Sequence, residues 1–137
     1  MTAKEQADIF HNMGYNCAQA VACAYCEKAG IDRKTMFRTM EGFGIGMGGM
    51  KETCGAVSGA VAIAGALKSS AQTDAPDSKG GTYRFTKEIV EKFIEKNGSA
   101  VCGDLKGIET GKVLRPCRGC IQDACSILEE VFPELRE

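Results

Sequence analysis

The run "GFGIGMGGMKETCGAVSGAVAIAGAL", Gly42–Leu67, divides into two halves of different character. The second half is alanine, glycine, valine and serine, with no proline, and it predicts a helix beginning at Glu52 or Thr53. That helix carries a face of small residues, so a neighbouring helix can pack closely against it. The first half, Gly42–Gly49, reads as a glycine-rich loop in which the backbone can approach another helix or a ligand. It is not a nucleotide-binding loop. It follows a helix rather than a strand, and no Gly-Lys-Ser/Thr is present.

Helical signals continue on both sides. Residues 3–13 place Ile9, Phe10 and Met13 among charges, with Gly14 as the stop. Asn16 caps a second helix, "CAQAVACAYCEKA", closed by Gly30, and Asp32 caps a third bearing Met36, Phe37, Met40 and Phe43. Residues 69–81 read as an exposed turn. A fifth helix over 82–97 aligns Phe85, Ile89, Val90, Phe93 and Ile94, and Asn97-Gly98 ends it. Residues 102–115 read as irregular. Pro116 opens a last helix with Ile121, Ala124, Cys125 and Leu128 inward, and Pro133 closes it. No alternating strand pattern is present. The expectation is an all-α, compact single-domain bundle of about five to six helices over residues 1–137.

Composition narrows the function classes. A net charge of -1 gives no electrostatic case for nucleic acid or an anionic membrane. No apolar run approaches the ~18 residues of a membrane span, so no membrane insertion is expected. The polar start "MTAKEQADIF" lacks the pattern of a secretory signal, and the expected address is a reducing cytoplasm. There the eight cysteines, Cys17, Cys23, Cys26, Cys54, Cys102, Cys117, Cys120 and Cys125, suggest metal ligation or thiol redox chemistry more than a disulfide framework. A free cysteine is also an ordinary small core residue.

Position adds to the count. Cys17 follows the Asn16 cap, Cys54 follows Thr53 and Cys117 follows Pro116, so three cysteines fall at predicted helix starts. Unpaired N–H groups and the helix dipole favour negative charge there, which favours the thiolate. Lys51, Arg115 and Arg118 are near enough in sequence to add to the effect. Two C-x-x-C pairs occur, Cys23/Cys26 inside a helix and Cys117/Cys120 at a helix start, where a dithiol would be reactive. They are too far apart for a zinc ribbon. Cys117-x2-Cys120-x4-Cys125 carries iron–sulfur-like intervals in reversed order. His11, the only histidine, sits near no cysteine in sequence and receives no role.

Four segments together, "NCAQAV" at Asn16–Val21, "CGAVSG" at Cys54–Gly59, "NGSAVCGDL" around Cys102 and "RPCRGCIQDACSILEE" from Arg115, resemble the redox-active protein family named C_GCAxxG_C_C. The resemblance runs from about residue 5 to residue 131 and implies that the family cysteines are Cys17, Cys54, Cys102 and Cys117. The motif glycines would be Gly55 and Gly59. Cys23, Cys26, Cys120 and Cys125 look like additions to the family pattern.

The resulting expectation is a thiol–disulfide oxidoreductase or electron carrier that exchanges with a redox partner protein or a small thiol. Cys54 would be the first nucleophile, Cys17 its partner, and Cys102 and Cys117 resolving thiols. Cys120, Cys125, Gly55 and Gly59 complete the expected site. The alternative is that Cys17, Cys54, Cys102 and Cys117 together ligate zinc or an iron–sulfur cluster. Cys17 and Cys54 are expected to lie close in space, both facing the Gly42–Gly49 loop.

Overall fold

The computed structural model describes residues 1–136. Among them are seven helices and no strand: α1 (Ala3–Asn12), α2 (Cys17–Tyr25), α3 (Arg33–Met40), α4 (Gly55–Lys68), α5 (Lys79–Asn97), α6 (Cys102–Lys106) and α7 (Cys117–Val131). The all-α expectation holds. No helix among the described residues is long and apolar enough to cross a membrane.

α2 and α4 form the centre. The two motif glycines explain how closely they pack. A Cβ at Gly59 would stand 2.7 Å from the Ala18 carbonyl oxygen and 3.2 Å from the Val21 Cβ. A Cβ at Gly55 would stand 3.1 Å from the Ala18 nitrogen and 3.3 Å from the Cys17 Cβ. Spaced four apart, both glycines lie on one face of α4, and their missing side chains let α2 backbone touch α4 backbone. α1, α5 and α7 wrap this pair. Phe93, Ile89, Ile63, Ile121, Leu128 and Phe132 fill the space between them and are at most 1% exposed.

The expected caps of α2 and α3 are present. Asn16 accepts from the Gln19 N–H at 2.8 Å while the Gln19 carboxamide accepts from the Asn16 N–H at 3.0 Å. The Asn16 amide also donates to the Glu41 carbonyl at 2.9 Å, tying the start of α2 to the segment before α4. Asp32 accepts from the Thr35 N–H at 3.0 Å.

Four boundaries depart from the sequence reading. α2 stops at Tyr25, and turns carry the chain on to Gly30. α5 starts at Lys79 and runs through Gly80-Gly81, inside the stretch read as a turn. Thr53 is not helical: it bridges antiparallel to Val101, so Cys54 itself caps α4. Residues 102–115 are not wholly irregular, because α6 occupies their first five positions. The glycine-rich segment is also no open loop. Ile45, Gly46, Met47, Gly48 and Met50 all have positive φ, and they wind it into a tight left-handed coil against α6.

Candidate functional site

The Thr53–Val101 bridge organises the site. The Cys54 N–H donates to the Ala100 carbonyl at 2.7 Å and the Cys102 N–H donates to the Glu52 carbonyl at 2.9 Å. This pairing sets the starts of α4 and α6 side by side. The close α2–α4 packing brings the start of α2 to the same place, and α7 begins opposite. Four helix N-termini therefore converge, bearing Cys17, Cys54, Cys102 and Cys117. One turn into α7, Cys120 joins them. These five cysteines line a single cavity of about 30 Å³, together with Ile45, Gly55, Leu105, Lys106 and Arg115. That volume admits a water-sized molecule or two, since one water needs roughly 10–15 Å³ on this measure. It does not admit an organic cofactor.

The sulfurs pair within the cavity. Cys54 lies against Cys120 and Cys17 against Cys117, near enough for each sulfur to act on its neighbour's charge, and the Cys120 thiol donates to the Arg115 carbonyl at 3.7 Å. Cys54, Cys102 and Cys120 are at most 6% exposed, whereas Cys17 and Cys117 are half-buried at the mouth. The structure thus holds an inner pair and an outer pair, with Cys102 beside both.

Their electrostatics differ. The neighbouring Cys120 holds the Cys54 thiol down to about 7 from its ordinary 9.0, and it outweighs burial, which acts the other way. The Ala56 and Val57 N–H groups at the open end of α4 and the Lys106 charge act in the same direction as Cys120. Cys120 is pushed far up, first by the neighbouring Cys54 and then by burial. Burial pushes Cys17 up, and Cys117 and Cys54 add to it. Burial likewise pushes Cys102 up, against the pull of Lys106. Burial alone would lower Lys106, but the neighbouring Cys117, with Cys102 and Cys17 behind it, holds Lys106 above its ordinary value.

The cations differ from those read in the sequence. Arg115 lines the cavity, but its guanidinium is engaged by the buried Asp123 carboxylate through two bonds, of 3.0 and 3.2 Å. Arg118 pairs with Asp8 at 2.6 Å, and Lys51 does not line the cavity. Lys106 takes the place expected of them. It sits four residues after Cys102, a spacing that puts both on one side of α6, and it went unread because α6 did.

The remaining candidates lie elsewhere. Cys125 is buried away from the cavity, with Tyr25 against it and the Tyr25 hydroxyl donating to Glu129 at 2.5 Å. Gly59 serves the α2–α4 contact and does not reach the cavity. Cys23 and Cys26 are core residues at the far end of α2. Among the described residues, no three of the histidine, cysteine, aspartate and glutamate side chains are grouped as a metal ion would require.

The family described as "Putative redox-active protein (C_GCAxxG_C_C)" matches residues 15–131. The chain belongs to this family. The matched region contains every cysteine, the bridge and all four converging helix starts. No curated protein and no solved structure matches the chain.

Proposed function

We propose that this protein performs thiol–disulfide exchange, with Cys54 as its low-pKa thiolate and Cys120 as the thiol that closes onto it. The observation that carries the reading is that Cys54 and Cys120 stand side by side in one cavity at the open N-terminus of α4. A thiolate already facing a protonated thiol needs only the loss of two electrons and one proton to become a disulfide. This pairing differs from the expected partnership of Cys54 with Cys17; Cys17 faces Cys117 instead. The partner would be a redox protein or a small thiol, in a reducing cytoplasm. The test is peptide mapping by mass spectrometry of protein cycled between reductant and a mild oxidant. A reversible Cys54–Cys120 disulfide is the expected result, and its absence in wild-type protein removes the reading.

Cys102 favours a second reading. It is a fifth buried sulfur facing the same cavity, and a scheme of two pairs leaves it without a partner. Zinc or an iron–sulfur cluster held by Cys17, Cys54, Cys102 and Cys117 would use it, and four converging helix starts suit an anionic cluster. Among the described residues, no three of these sulfurs are grouped as a metal ion would require, which supports the dithiol reading over this one. Spectra and elemental analysis of anaerobically purified protein separate the two. Stoichiometric metal that is lost in Cys102→Ser supports the second. Metal-free protein with a Cys102→Ser variant that still forms the Cys54–Cys120 disulfide supports the first.

A further inference from the structure

The inner pair poses an access problem. Cys54 and Cys120 are 5% and 2% exposed, and the cavity in front of them is about 30 Å³. A protein disulfide or an oxidised tripeptide cannot bring its sulfur to Cys54 through that space. Cys17 and Cys117 stand half-exposed in the same cavity as neighbours, with Lys106 beside Cys117.

We infer that the protein is a two-stage dithiol relay, in which Cys17 and Cys117 exchange with bulky external disulfides and pass the oxidation inward to Cys54 and Cys120. The inference rests on the thiol–disulfide reading above. In the first stage the Cys117 thiolate attacks an external disulfide, and one external thiolate leaves and takes a proton. Cys17 gives up its proton and attacks the Cys117 sulfur, expelling the second external thiolate, which is protonated in turn. In the second stage the Cys54 thiolate attacks the Cys17 sulfur of the new Cys17–Cys117 disulfide. Cys117 leaves as a thiolate beside the Lys106 ammonium. Cys120 then attacks the Cys54 sulfur; Cys17 leaves and receives the Cys120 proton. The inner disulfide has formed, the outer dithiol is restored, and two electrons have reached the external disulfide. A second external disulfide oxidises the outer pair again, so the fully reduced site donates four electrons.

The opening itself separates large from small oxidants. Hydrogen peroxide is small enough to reach the inner pair directly, since the cavity holds a water-sized molecule or two. The experiment compares glutathione disulfide with hydrogen peroxide on reduced wild-type protein and on the Cys17→Ser/Cys117→Ser variant, following the Cys54–Cys120 disulfide by mass spectrometry after alkylation. The relay predicts that the variant forms this disulfide about tenfold or more slowly with glutathione disulfide, yet at near wild-type rate with peroxide. Peroxide competence also shows that the variant is folded at the site. A Cys54→Ser variant is expected to accumulate the Cys17–Cys117 disulfide on treatment with glutathione disulfide. Equal rates with glutathione disulfide in wild type and the double variant overturn the relay while leaving the inner pair as a redox site. Failure of wild type to form the inner disulfide with either oxidant removes the thiol–disulfide reading and the relay with it.

Discussion

At the scale of single residues, the site depends on one sulfur–sulfur contact and one missing side chain. The contact is that of Cys120 with Cys54. Thiolates absorb ultraviolet light that thiols do not, so a pH titration of the reduced protein followed by absorbance is expected to show an inflection near 7 from Cys54, and Cys120→Ala is expected to move that inflection up toward 9.0. Burial then opposes the charge with only the α4 N–H groups and Lys106 to offset it. An unchanged inflection in Cys120→Ala would show that the helix start alone holds the thiolate. The missing side chain is at Gly59. A Cβ 2.7 Å from the Ala18 carbonyl oxygen meets backbone, which cannot rotate away, so Gly59→Ala is expected to destabilise by about 1–3 kcal/mol in urea unfolding. Gly65→Ala on the same helix meets nothing within 4 Å and is expected to stabilise by roughly 0.5–1 kcal/mol. The pair of variants separates helix propensity from helix contact. It also shows why a family pattern built on cysteines carries two glycines: they set the distance at which Cys17 meets the mouth of α4.

At the scale of elements, the helices were legible where periodicity and caps coincide. Asn16, Asp32 and Pro116 mark starts that the structure keeps, and the apolar stripe of the fifth helix is the one that Ile89 and Phe93 bury. The convergence at Cys54 was legible in part, through cysteines placed at helix starts. α6 was not, because five residues hold no full apolar period and its position is set by the Thr53–Val101 bridge, a contact distant in sequence. Lys106 and the fourth converging start were lost with it. The glycine run misled differently. Glycine abundance suggests flexibility, but here it permits a fixed left-handed path, which even Ile45 and Met47 adopt with φ of 53° and 65°. Gly46 is the pivot of that path. Its φ is 54°, and a Cβ there would stand 2.6 Å from the Cys102 Cβ and 2.8 Å from the Glu52 carbonyl oxygen. Gly46→Ala is therefore expected to cost about 2–4 kcal/mol in stability, by left-handed strain together with overpacking. It is also expected to raise the alkylation of Cys102 in the native state, because the start of α6 must move. A destabilised variant whose Cys102 stays protected would place the strain in the coil alone.

At the scale of the whole molecule, the thiols make stability depend on pH and on redox state together. The folded value of Cys54 lies below its ordinary 9.0, at about 7, so between these two values the unfolded chain binds a proton that the folded chain does not. Stability from this thiol therefore rises with pH across that window, by up to about 1.4 kcal/mol per pH unit, and is absent below it. Cys17, Cys23, Cys26, Cys102, Cys120 and Cys125 are shifted the other way, each by burial or, for Cys120, first by the neighbouring Cys54. Above 9.0 the unfolded chain releases those protons while the folded chain keeps them, so their contribution is present below 9.0 and lost above it. Tyr25, also raised, joins them above its ordinary 10.0. Asp123 acts at the acid end. Burial raises its carboxyl, but bonds from Lys96, Arg115 and Asn97 prevail and hold it below 3.8, so its contribution is lost as pH falls through that lower range. The reduced protein is thus expected to show a stability maximum between the Cys54 value and the ordinary thiol value, with a shallow rise before it and a steeper fall after it. Urea midpoints measured in a phosphine reductant from about pH 6 to about pH 10 check the shape. Oxidation supplies the control that assigns it. Closing Cys54 and Cys120 into a disulfide removes the one thiol whose value is depressed, so the oxidised protein is expected to lose the rise while keeping the fall due to Cys17, Cys23, Cys26, Cys102 and Cys125. A rise that survives oxidation would belong to a group other than Cys54.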